Sequence, residues 1–148
     1  MEKKFELTEE TIQCNGHTLY RIKALKDFSD VTKGDIGGFV EKEDNLFQGG
    51  KCWIYDEAKV FENAKVFDDA CVYERAKVFD VACVYERAKV YGDALVCHNA
   101  VVCGKTMVYG NAKVYDVAKV FGNAQVFDKA TVYGNARVFG NAQVFDNP

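Results

Sequence analysis

The side chains able to do chemistry in this 148-residue chain are few: two histidines and six cysteines stand out. His98 occupies a place where otherwise similar stretches carry Gly, Asp or Glu. A histidine beside an acceptor hydroxyl or amine can deprotonate it, which is general-base chemistry. His17 directly follows Asn15-Gly16 and reads as a surface residue. Two histidines are too few for a three-histidine zinc site. The cysteines form no pair of metal-like spacing matched by a second pair, so no metal and no cofactor is expected. Cys83 and Cys103 fall on one face but diagonally, about 7–8 Å apart by sheet geometry, beyond disulfide reach. Cys97 and Cys103 fall on different faces, and Cys52 takes an inward register. Reduced structural thiols are the expectation.

What positions these residues is a repeat. From Ile54 to Val144 every sixth residue is Val, Ile54 itself excepted. Four positions after each sits Ala, with Thr106 as the exception, and the residue after each is Phe or Tyr except at Cys97 and Cys103. A helix advances about 240° in six residues, which would scatter the valines over three sides without a polar stripe. As strands, Ala-x-Val-aromatic alternates in and out, and the next two residues make a turn. Gly and Asn suit that turn because both tolerate positive φ. A strand of four and a turn of two cannot bury its inner face alone. It must coil and stack.

"VYGNAKVYDVAKVFGNAQV" resembles the hexapeptide word of left-handed parallel β-helices, the trimeric LpxA-like superfamily: Val114 and Val120 are the aliphatics, Ala112 and Ala118 the small residues, Asn111 and Asn123 the corner. The resemblance covers roughly residues 52–147, and departs only in an aromatic after the aliphatic. "YGNARVFGNA" also resembles uncharacterised bacterial and prophage repeat proteins, some labelled acyltransferases by fold analogy. The resemblance implies an all-β, left-handed triangular solenoid of about five coils, with rungs about 4.8 Å apart. It further implies, as one alternative, an acyl-CoA-dependent acyltransferase using His98. No inserted loop or extended C-terminal region supplies an acceptor pocket for it.

Three words to a coil stack residues eighteen apart. One outward row is then Tyr55, Tyr73, Tyr91, Tyr109, Phe127 and Phe145; the second contains Phe61, Phe79, Cys97, Tyr115 and Tyr133; the third contains Phe67, Tyr85, Cys103, Phe121 and Phe139. Stacked rings stabilise one another. Between 94 and 109 the outward positions turn apolar: Leu95, Cys97, Val101, Cys103, Met107 and Tyr109, adjoined by Tyr85 and Phe121. An exposed apolar belt signals a contact, so these residues are the candidate partner-binding set.

Residues 1–50 differ in kind. "TIQCNGHTLYRIKAL" alternates on both sides of Asn15-Gly16, the signal of a β-hairpin with a type I′ turn. "VTKGDIGGFVEKEDNLFQGG" reads as an irregular first coil with Ile36, Val40 and Leu46 inward. The expected organisation is a cap over 1–50, its hairpin closing the N-terminal end, and a hexapeptide-repeat β-helix over 51–148.

A net charge of -3 gives no general pull toward nucleic acid or anionic membrane. No apolar run suggests a membrane span or a signal peptide, so a cytoplasmic protein is expected, in the host cytoplasm if phage-encoded. The expected function is a non-catalytic binding or assembly module meeting a protein or small-molecule partner; a virus-encoded sponge or inhibitor of a host defence factor is a further alternative. The repeat runs unchanged to Val144 and ends at Asn147-Pro148, leaving an open rung. Two such ends pairing predict a tail-to-tail homodimer with Val138, Val144 and Phe145 at the joint.

Overall fold

The computed structural model describes residues 3–146, so Asn147-Pro148 lies outside the described residues. Most six-residue words form a two-residue strand ending on the inward valine, as at Lys59–Val60 and Lys65–Val66, while Gln125–Asp128 and Gln143–Asp146 run two residues further. Successive strands fall on different sheets, and each pairs in parallel with the strand eighteen residues on: Ile54 with Val72, Val60 with Val78, Val66 with Val84. Rung-to-rung bonds such as Lys59 N–H to Ala76 O (2.9 Å) and Phe61 N–H to Val78 O (3.0 Å) satisfy the backbone. Three sheets result, and the chain is a β-solenoid.

Its core is two columns deep. The valines at every sixth position from Val60 to Val126 and the alanines from Ala58 to Ala124 are fully buried. Cys52, in the alanine register, is buried too, as expected. Thr106 occupies one alanine position, and its hydroxyl has no hydrogen-bond partner.

The stack has about six turns rather than five. The extra turn comes from the Gly-rich segment before the repeat. Strand β3, Ile36–Val40, follows the hairpin strands β1, Phe5–Cys14, and β2, His17–Ala24. It pairs in parallel with Lys59–Val60, and Leu46 bridges in parallel to Val66. Val40 and Leu46 are buried as expected, but Ile36 is 54% exposed. Ile36 sits where β3 meets the hairpin, opposite Lys23, ahead of the part of β3 that joins the rung. Gly38 permits that junction: a Cβ there would lie 2.5 Å from Ala58 O.

The hairpin turns at Asn15 and Gly16, both at positive φ (52° and 84°), as a type I′ turn demands. β2 pairs antiparallel with β3, so the hairpin prolongs one face of the prism. Phe5, Ile22 and Trp53 join the main core, with Trp53 edge-on to Phe5 and Phe28. Cys14, Leu19 and Phe39 form a second, smaller cluster over Phe61. Lys4 is fully buried. Its Nζ donates to Cys52 O (2.7 Å) and Gly49 O (3.1 Å) and lies 3.3 Å from Cys52 Sγ. Burial holds its ammonium below the usual lysine range.

Candidate functional site

Every corner of the solenoid needs one residue in the left-handed region, directly after the outward side chain. For a residue with a Cβ that conformation costs about 1–2 kcal/mol. The chain meets the requirement in two ways. Some corners use Gly; others use Asp or Glu, and at six of these the carboxylate accepts the N–H of the corner residue one rung on. Asp68 takes Glu86 N–H (3.2 Å), Glu86 takes Gly104 N–H (3.0 Å) and Asp116 takes Gly134 N–H (3.0 Å). The Asn that follows Gly in "YGNA" is not among the positive-φ residues, so Gly alone meets the constraint there, contrary to the expectation for both.

His98 is such a corner, at φ 57°. Its N–H donates to Asp80 Oδ2 at 3.0 Å. Its Nδ1 accepts from Asp116 N–H at 3.2 Å, as a carboxylate would, and also lies 3.3 Å from Asp116 Oδ1. Its Nε2 is 3.9 Å from Asp80 Oδ2, and the ring stands edge-on to Tyr115. With its side chain 52% exposed, His98 is a clip between rungs. Grooves of about 680 Å³, between Glu43–Gln48 and Lys65–Asp68, and of about 280 Å³, beside Asp30 and Tyr73, lie elsewhere.

The belt residues are all partly exposed, but the solenoid distributes them over three faces. Leu95 lies between Lys77 and Lys113, Val101 between Cys83 and Lys119, and Met107 between Lys89 and Gln125. The apolar residues therefore adjoin most closely on one face, where Tyr85 and Cys103 meet Val101 and Phe121. A hydrogen bond with Cys103, then burial, pushes the Tyr85 phenol up to about 12. Met107 instead accepts from Tyr91 Oη at 3.6 Å. Tyr91 and Tyr109 stack at 4.9 Å between centroids, 4° from parallel, within the row that continues to Phe127 and Phe145.

The other two rows are interrupted at Cys97 and Cys103. Phe61 stacks on Phe79 and Tyr115 on Tyr133, with Cys97 between the two pairs. Phe61 is an outward position that the sequence leaves exposed, yet the hairpin buries it completely. All six cysteines are free thiols. Burial, and then the carboxylates of Asp80 and Asp116, push the Cys97 thiol up to about 11. Among the described residues Asp80, Cys97 and His98 form a group of three metal-capable side chains. The reading by linear spacing misses it because Asp80 enters from the rung below. Applying the eighteen-residue stack to the charged corners is the signal that finds it.

No helix of the structure is long and apolar enough to cross a membrane. Residues 88–104 and 130–146 match the family model described as the YdcK beta solenoid repeat. The chain is also similar to the "Uncharacterized acetyltransferase YdcK" of Escherichia coli (strain K12), with 49% identity over 39 residues. That stretch is 26% of this chain and 12% of the relative, so the likeness concerns repeats and not the relative's whole architecture. A six-residue word, wound three to a rung with valines paired eighteen residues apart and matched over two stretches to a known solenoid repeat, makes this chain a hexapeptide-repeat β-helix.

Proposed function

We propose that the chain is a non-catalytic binding and assembly module, a rigid prism that meets a second copy of itself end to end. The observation that carries this reading is the last described rung. Among the described residues, Thr131–Val132, Arg137–Val138 and Gln143–Asp146 each end the order of their sheet. Tyr133, Phe139 and Phe145 are 55%, 57% and 51% exposed there. Open strand edges and clustered apolar surface both favour pairing. Two copies related by a two-fold axis would close both edges at once, with Val138, Val144 and Phe145 at the joint. The belt from Leu95 to Tyr109, with Tyr85 and Phe121, serves as a second contact surface for a protein or small-molecule partner.

Sedimentation across micromolar concentrations tests the end-to-end contact. Val144→Asp should convert dimers to monomers that aggregate or melt earlier; a native protein that sediments as a monomer throughout overturns it. Leu95→Lys with Val101→Glu leaves every inward residue in place, and should abolish capture of a partner without lowering stability. Acetyl transfer is the alternative, favoured by the acetyltransferase name of the Escherichia coli relative and the half-exposed ring of His98. Transfer from acetyl-CoA by the native protein, lost in His98→Ala, would replace the binding reading with that one.

A further inference from the structure

We infer that Asp80, Cys97 and His98 form a binding site for a borderline-soft divalent cation of the zinc class. One ligand atom from each, a carboxylate oxygen, a thiol sulfur and an imidazole nitrogen, lies within 4.8 Å of both others. A tetrahedral zinc site, with bonds of about 2.0–2.3 Å, needs its ligand atoms about 3.3–3.6 Å apart. His98 Nε2 and Asp80 Oδ2, at 3.9 Å, are a few tenths of an ångström from that separation. Rotation of partly exposed side chains closes the remaining gap. Three protein ligands leave the fourth position open to water.

The word departs from its pattern twice in succession to make this group. Cys97 stands where the row has rings, and His98 where corners have Gly, Asp or Glu. Consecutive residues of an extended strand face opposite sides. The left-handed corner at His98 turns the chain, so that Cys97 and His98 both reach Asp80. Cys103 shows that the cysteine alone does not make such a site. It interrupts its own row in the same way, but Gly104 is its corner.

Asp116 supplies the outer support that metal-binding histidines require. Without metal, His98 Nδ1 accepts the Asp116 N–H at 3.2 Å. With metal on Nε2, the proton belongs on Nδ1, and Asp116 Oδ1 at 3.3 Å is placed to accept it. One neighbour thus satisfies Nδ1 in either tautomer, and the ring need not swing. Asp80 Oδ2 also accepts the His98 N–H at 3.0 Å, which holds the carboxylate beside the ring. The N, S and O donor set suits zinc or cobalt rather than magnesium or calcium.

The test uses the full chain, freed of metal by chelator and titrated with Co²⁺, then with Zn²⁺ in competition. The expected result is one Co²⁺ per chain, a sulfur-to-cobalt charge-transfer band, and displacement by Zn²⁺. Cys97→Ser should abolish the band, while Cys103→Ser keeps it. Asp116→Asn should weaken affinity about 10–100-fold without removing the band. Circular dichroism of each metal-free variant should match the native protein. Absence of a thiolate band in the native chain, persistence of the band in Cys97→Ser, or an undiminished affinity in both Asp80→Asn and His98→Ala would overturn the site.

Discussion

Thr106→Val isolates one buried hydroxyl. Thr106 occupies the alanine column, between Ala88 and Ala124 one rung to either side, and is fully buried. Its backbone is well placed: its C=O accepts from Lys89 N–H at 3.0 Å, and the next residue, Met107, donates its N–H to Ala124 O at 3.1 Å. The side-chain oxygen has no partner. A buried polar atom without a partner costs about 1–3 kcal/mol. Valine keeps the branched shape and replaces that oxygen with a methyl group. The variant should be more stable by about 1–2 kcal/mol, which for a chain of this size raises Tm by roughly 2–8 °C. Thr106→Ala also removes the hydroxyl but gives up a buried methyl worth about 0.8 kcal/mol, so it should fall between native and valine. Urea unfolding and calorimetry at neutral pH measure both. A valine variant no more stable than native, or an alanine variant above it, would refute the reasoning.

Two further outcomes follow from burial and from pH. Phe61→Ala should cost about 3–5 kcal/mol and loosen the hairpin, whereas Phe139→Ala, at the same place in its word but 57% exposed, should change stability little; denaturant melts of the two decide it, and equal losses would refute the hairpin's role. Burial raises the thiols of Cys52, Cys71, Cys83 and Cys103 above their ordinary 9.0. Between 9.0 and the raised values the unfolded chain has lost protons that the folded one retains, so stability is full below 9.0 and should fall as pH rises beyond it. Lys4 opposes this, because its lowered value makes the unfolded chain the better proton binder below 10.5. Melts on either side of pH 9 should show the loss, and Cys83→Ala with Cys103→Ala should flatten it; an unchanged slope would refute the assignment.

The inward residues were legible because valine and alanine recur with a period that no helix can hide, and each takes the same place on every rung. Phe61 was not legible in the same way. Its word, "AKVFEN", closely matches "AKVFDD" and "AKVFGN", and what buries it is a hairpin some forty residues earlier in the chain. Ile36 was misread for the converse reason: it follows an apolar alternation but sits at a sheet junction opposite Lys23. The Asp80–Cys97–His98 group was hidden by linear spacing and appears once the rung is the unit of distance. Lys4 gave no signal at all, since nothing in "MEKKFE" distinguishes a lysine folded onto carbonyl oxygens from its solvated neighbour.

The corners explain why chemistry appears at one place in an otherwise uniform repeat. A left-handed corner can be built from glycine, which asks nothing of its neighbours, or from a side chain that recovers the conformational cost by binding the next rung. The carboxylate solution lines the corners with acceptors: Asp56, Asp68, Glu74, Asp80, Glu86 and Asp116 each take an N–H from one rung on. Such a column is anionic and regularly spaced, so its ordinary use is structural. Replacing one acid with histidine preserves the clip, because Nδ1 can accept the same N–H, while a second nitrogen takes no part in it. That exchange alone would be neutral for the fold and would leave an idle ring. Beside a cysteine, above one aspartate and below another, the same exchange gives a mixed set of ligands on a rigid frame, and the frame's stability does not depend on filling it.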